Sequence, residues 1–128
     1  MTEYQPGVCN IGRDERRTRR RLGDASFLVA AAYVGFVTAT GRPAGFLLGA
    51  FPLLFGGFLG VVQDRLGFCV GLAALARYDL SGSGGGAGTV AEADAVRRDR
   101  IEAVQVVAVA LAAAVAVTTA VYGIGTAM

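Results

Sequence analysis

The chain has 128 residues, of which 54% are hydrophobic and only 17% charged, with a mean hydropathy of +0.53. A soluble domain carries nearer a quarter charged residues, so the composition excludes an ordinary water-soluble domain and points to one membrane-embedded unit. The net charge of +2 comes from 12 arginines against 10 acids, with no Lys and no His; without His the chain lacks the commonest general base and the usual zinc ligand.

Residues 1–24 form a basic segment. Six arginines fall in it, and Glu15/Arg19 at i,i+4 supports a helix, read as basic and amphipathic. Arg16, Arg17, Arg19, Arg20 and Arg21 are expected to contact anionic lipid head groups, each contributing on the order of 1 kcal/mol. Nucleic-acid binding is not expected, because no aromatics interleave the arginines.

The first apolar run, 25–41, is at the short end of the roughly 17–25 residues a spanning helix needs. Asp24 precedes it and suits an N-cap, since its carboxylate accepts a free backbone N–H. A cleaved secretory signal is the competing reading, disfavoured by the long leader and by Asp24 at the junction. Gly41-Arg42-Pro43 then makes a turn, with Pro43 suited to the first position of the next helix, so the first two runs form a hairpin.

The second run is 43–62. At about 100° per residue, Gly45, Gly49, Gly56 and Gly60 line one stripe, and Phe51, Phe55 and Phe58 the opposite side. Helices in lipid associate by close backbone approach, so the glycine stripe is expected at a helix–helix contact. Pro52 is expected to kink this helix. Small residues recur as Ala31, Gly35 and Ala39 in the first run and as Ala108, Ala112, Ala116 and Ala120 in the third, which suits three-helix association within the chain, homo-oligomers or docking to larger subunits.

Residues 66–76 are apolar but too short to span. They are read as a short helix lying at the inner interface, tucked against the hairpin or buried in a partner. Residues 77–100 form a loop and a helix start, with 81–88 (SGSGGGAG) a flexible linker by composition. Thr89 and Glu92 have capping-box spacing, predicting a helix over 90–124 with Asp94/Arg98 and Arg98/Glu102 pairs. Its segment 101–124 is the third span.

Eleven of the 12 arginines flank the runs on one side, and only Arg42 lies on the other. Short Arg-rich loops stay in the cytoplasm, which predicts a multi-pass protein of the inner (cytoplasmic) membrane, amino terminus inside and carboxyl terminus outside. The spans carry no ionisable residue near their centres, which argues against a proton-coupled transporter. The fold class is therefore an all-α integral membrane protein: three transmembrane helices, an N-terminal basic amphipathic helix and a short interfacial helix.

Cys9 and Cys69 are both expected at the inner face, where thiols are normally reduced. They read as a redox pair, a sulfur-carrying thiol, half of a metal site completed by a second copy, or simply as two small buried side chains at an interface. Around them the sequence resembles a known family. Cys9-Asn10-Ile11-Gly12, Asp14, Arg16 or Arg17, and Leu22-Gly23 are similar to the N-(V/I)-G-x-x-D-R-x-x-R-x-x-x-G start of the small two-helix membrane domain that follows the rhodanese in YgaP-type inner-membrane sulfurtransferases and also occurs alone. Gly67-Phe68-Cys69 resembles that family's G-F-C-P segment, with Val70 where the family has Pro. Over roughly residues 9–76, the resemblance implies an amphipathic inner-face helix, a hairpin that tends to dimerise, and a link to sulfur species. The rhodanese domain is absent and the third helix is additional.

No catalytic, metal or cofactor residue is assigned from the sequence. The reading is a small non-catalytic accessory or oligomerising subunit whose partners are the lipid bilayer, further copies or larger membrane subunits. A thiol-based sulfur or redox protein using Cys9 and Cys69, and an oligomeric pore for a small solute, are the alternatives.

Overall fold

The computed structural model describes residues 4–128. In chain order it contains α1 (Arg13–Ala39), a 3-10 segment (Ala44–Ala50), α2 (Phe51–Leu66), α3 (Val70–Ala74), strands β1 (Arg77–Asp79) and β2 (Ala87–Thr89), and α4 (Ala93–Ala127). The stretches Arg13–Ala39, Ala44–Leu66 and Ala93–Ala127 are long and apolar enough to cross a membrane, with hydropathies of 1.5, 2.0 and 2.3. At 1.5 Å per residue α4 is roughly 50 Å long, well beyond the roughly 30 Å of a bilayer core.

The basic segment and the first apolar run are one helix, not two. Asp24 does not cap a helix: it sits inside α1, where Arg20 Nε donates to its carboxylate at 3.2 Å. With its counter-ion one turn away, the carboxylate is satisfied without breaking the helix. The helix begins instead at Arg13, after an extended Gly12, with Asp14 and Glu15 in its first turn, where negative charge complements the helix dipole. The Glu15–Arg19 pair forms at 3.2 Å.

The second run departs from a single kinked helix. Residues 44–50 wind as a 3-10 helix and the α-helix proper starts at Phe51, with Pro52 in its first turn. Proline has no N–H to give to a carbonyl four residues back, so the preceding residues close tighter turns instead. Pro43 accordingly stands ahead of the 3-10 segment rather than inside an α-helix. Three residues per turn also takes Gly45 out of the predicted stripe: a Cβ there would meet nothing within 4 Å.

The rest of the stripe faces α1. A Cβ on Gly60 would lie 2.7 Å from Gly23 Cα and 2.5 Å from Arg19 O, and one on Gly56 would lie 3.0 Å from Ser26 Oγ. Gly49 holds Tyr33, whose hydroxyl donates to Phe46 O at 2.5 Å. Gly57 makes room for the Phe27 ring, which meets Phe58 edge-on at 5.0 Å. Phe58 therefore packs on α1 rather than on lipid alone, whereas Phe51 and Phe55 stack on each other at 6.3 Å.

Both α1 and α4 pack on α2, which lies between them. One core cluster joins Ala30, Ala50, Leu54 and Ala114; a second, nearer the basic end, joins Phe68, Ala73, Ala103 and Val106. The buried line on α1 is Gly23, Ala30 and Val37, and that on α4 includes Ala103, Val106, Ala110, Ala114 and Thr118. The small residues singled out from sequence lie elsewhere. Ala31, Gly35 and Ala39 on α1, and Ala108, Ala112, Ala116 and Ala120 on α4, are exposed, with Ala31 and Gly35 edging a groove beside Leu54 and Val121. Small residues occur all around both helices, so spacing alone did not select the buried face.

Residues 66–76 are tucked against the helices, with only 70–74 of them helical. Gly67 ends α2 in a left-handed conformation (φ 65, ψ 35), which glycine adopts without a Cβ clash. The chain then turns inward, burying Phe68, Cys69 and Ala73, and α3 is only 5 residues long. The glycine-rich stretch 81–88 belongs to a β-hairpin, its first six residues in the turn and its last two in β2, with Arg77 opposite Thr89 and Asp79 opposite Ala87. Thr89 consequently belongs to a strand and forms no capping box; α4 starts after Glu92, which makes no side-chain cap bond. Arg98 pairs with Asp94 at 2.7 Å.

The close approach at Gly60 gives a direct prediction. Gly60→Ala should destabilise the protein by about 1–3 kcal/mol, because only backbone faces the added methyl. Gly45→Ala should change stability by less than about 0.5 kcal/mol. Thermal unfolding in the same detergent micelles reads both.

Candidate functional site

The basic end of the bundle is built around the segment 4–12, which folds back onto three elements. The left-handed turn at Gly67 presents its carbonyl to Asn10 N (3.1 Å) and Ile11 N (3.3 Å). Asn10 is fully buried, and its side-chain amide closes a two-way bridge to the Cys69 backbone: Nδ2 donates to Cys69 O at 3.0 Å, and Cys69 N donates to Oδ1 at 2.6 Å. Gln63 Oε1 accepts from Val70 N at 2.9 Å, so a second buried amide holds the start of α3.

The same segment runs beside β1. Gly12 N donates to Asp79 O at 2.7 Å and Asp79 N to Asn10 O at 2.9 Å. Gly12 must be small, since a Cβ would sit 2.5 Å from the Leu80 backbone. The Asp79 carboxylate accepts from Ser81 Oγ (2.5 Å) and Ser81 N (3.0 Å). Those two bonds hold it below the usual carboxylate range, outweighing the opposing effect of burial.

A buried carboxylate on α4 anchors the outer part. Asp99 is fully buried and accepts from Gly7 N at 2.7 Å and from the Tyr4 hydroxyl at 2.5 Å. Tyr4 also stacks on Tyr78 at 5.0 Å. Burial and then the Asp99 carboxylate push the Tyr4 hydroxyl well above its ordinary pKa.

The arginines surround this knot in two ways. Arg13, Arg16, Arg17, Arg20 and Arg21 line a cleft of about 560 Å³ with Asp64 and Ser83. Arg16 Nε donates to Asp64 O at 2.8 Å, and Asp64 pairs with both Arg16 and Arg20 at 3.5 Å. Arg19, expected to contact lipid with the others, turns inward instead, to Glu15 and to Cys69 Sγ at 3.2 Å.

Both cysteines are free and buried, at 2% and 3% exposure. Cys9 Sγ donates weakly to Ile11 O at 3.4 Å. The segments 9–12 and 67–69 do meet, through backbone and the Asn10 amide. Among the described residues, no three His, Cys, Asp or Glu side chains gather as a metal site. Enclosed thiols offer no open nucleophile, whereas the arginine cleft is open and suited to anions.

Asn10, Asp99 and Tyr4 were not singled out from the sequence. Asp99 left one signal: it lies four residues from both Ala95 and Ala103, on the buried face of α4. Asn10 left only its place inside the Cys9–Gly12 motif. No protein-family model, no curated protein and no solved structure matches this chain.

Asn10→Ala would leave the Cys69 N–H buried without a partner, while Cys69 O would keep its bond from Ala73 N at 3.1 Å. The expected loss is about 1–3 kcal/mol of stability, read as a lower midpoint in thermal unfolding, the cost of one stranded buried donor. An unchanged midpoint would show that the bridge does not hold the basic end together.

Proposed function

We propose that this chain is a small non-catalytic subunit of the cytoplasmic membrane that works by associating with further copies or with larger membrane subunits. One observation carries the reading: the small-residue lines Ala31/Gly35/Ala39 and Ala108/Ala112/Ala116/Ala120 are exposed, and a Cβ on Gly35 would meet nothing within 4 Å. Lipid tails are as apolar as leucine, so helices gain by association mainly where small residues let backbones come close. Two such exposed lines, one on α1 and one on α4, suit that use. The resemblance of residues 9–76 to the two-helix membrane domain, with its tendency to dimerise, supports the same reading. Burial of both thiols weighs against thiol chemistry as the alternative.

In this reading the basic end faces the cytoplasm and its arginines contact anionic head groups, while Arg42 and the carboxyl terminus lie outside. Cysteine variants at Ser83 and Thr126 test the orientation with a membrane-impermeant thiol reagent. Thr126→Cys should label in intact cells, and Ser83→Cys only after permeabilisation; the opposite pattern refutes it.

Association is tested by purification in mild detergent with light scattering and identification of co-purifying chains. The expected result is a multimer or a fixed-ratio partner, weakened by Gly35→Leu or Ala112→Leu without loss of helicity. A monomer free of partners would refute the proposal.

A further inference from the structure

We infer that the arginine-lined cleft at the basic end is a binding site for an anion carrying more than one phosphate group. One wall is the first two turns of α1. Taking about 100° per residue, Arg13, Arg16, Arg17, Arg20 and Arg21 fall within an arc of roughly 140°. They span roughly 12 Å along the axis. The facing wall is Asp64 at the end of α2 and Ser83 in the β1–β2 turn.

The charges in this cleft do not balance. Among the described residues Asp64 is the only carboxylate lining it, and it is shared between Arg16 and Arg20 at 3.5 Å each. Among the described residues, Arg13, Arg17 and Arg21 have no carboxylate within ion-pair distance. Asp24, just outside the lining, also pairs with Arg20 at 3.2 Å, so five guanidiniums against two carboxylates leave three positive charges around about 560 Å³. The pairs 13/17, 16/20 and 17/21 are like charges at i,i+4, each costing a helix about 0.2–0.5 kcal/mol. Setting membrane orientation needs none of this, since arginines spread around the helix would serve equally. Five of the six are instead drawn to one face, and only Arg19 leaves it, for Glu15 and Cys69.

The chemistry selects the ligand class. Guanidinium forks match phosphate oxygens bidentately. No aromatic side chain lines the cleft, so no nucleobase is stacked there and the phosphates themselves are what is recognised. A single phosphodiester brings one negative charge and leaves most of the excess unmet, whereas two or more phosphates offset it. Such a ligand has two possible sources. Arg20 and Arg21 stand about one turn from Ala25, where the first apolar run begins, within reach of a lipid head group, while Arg13 lies farthest from that run, on the side of a soluble polyphosphate.

The test uses the full chain in a zwitterionic detergent, with two probes: pyrophosphate by calorimetry, and a diphosphate lipid, cardiolipin, against phosphatidylcholine by native mass spectrometry. The paired variants are Arg17→Gln with Arg21→Gln, whose side chains hold no ion pair, and Arg97→Gln with Arg100→Gln on α4, which removes equal charge elsewhere. Binding of at least one probe is expected, weakened about tenfold or more by the first pair, as befits lost charge-assisted hydrogen bonds, and about twofold or less by the second. Cardiolipin alone would assign the site to a lipid head group; pyrophosphate binding would assign it to a soluble ligand. No binding of either probe, or equal loss in both variants, overturns the inference. Only the lipid arm rests on the membrane orientation proposed above. The pyrophosphate arm needs neither that orientation nor any partner subunit, so the two proposals fail separately.

Discussion

The contact on which the rest depends is the bare backbone approach of α1 and α2 at Gly23 and Gly60. Neither residue has a side chain to hold the helices apart, and a Cβ on Gly60 would overlap α1 backbone. In lipid this kind of contact has special weight, because apolar side chains gain nothing by leaving the tails for each other. Dispersion over closely fitted surfaces and the few bonds that cross between helices must hold the bundle. The Ser26 hydroxyl, donating to Leu53 O at 2.6 Å, is one such bond.

That approach also positions the basic end. With α1 seated on α2, Arg16 and Arg20 reach Asp64 at the end of α2, and Arg19 reaches Cys69 just beyond it. The segment before α1 is thereby brought under the Gly67 turn, where Asn10 bridges to the Cys69 backbone. A hairpin and a buried carboxylate on α4 complete the knot. The bundle is thus closed at its polar end by specific hydrogen bonds, while its apolar length is held by shape. The two ends of the protein are built on different physics, and the anion cleft lies where they meet.

Much of the plan is visible in the sequence. Apolar length and the scarcity of charge within the runs mark three spanning helices, and Gly56 and Gly60 mark the face that α2 presents to α1. What the sequence hides has identifiable causes. Asp24 resembles a cap, yet its partner Arg20 lets it sit mid-helix. Pro52 reads as a kink but is accommodated by tighter turns before it, and that change of period removes Gly45 from the stripe. Ala31, Gly35 and Ala39 have the four-residue spacing of packing residues, yet the buried line is Gly23, Ala30 and Val37 at seven-residue spacing, which the position of α2 selects. The glycine-rich 81–88 looks like a free linker because its strands are three residues each, too short to show alternation. Asn10 gives no signal of its own: its role exists only once residues 59 positions apart are brought together.

The account's central claim is that α1 and α2 touch backbone to backbone. The most direct measurement is a nuclear Overhauser contact between the Hα protons of Gly23 and Gly60, recorded on the isotope-labelled protein in lipid nanodiscs. A strong inter-helix cross-peak is predicted. Two well-resolved glycine signals with no cross-peak between them would contradict the account.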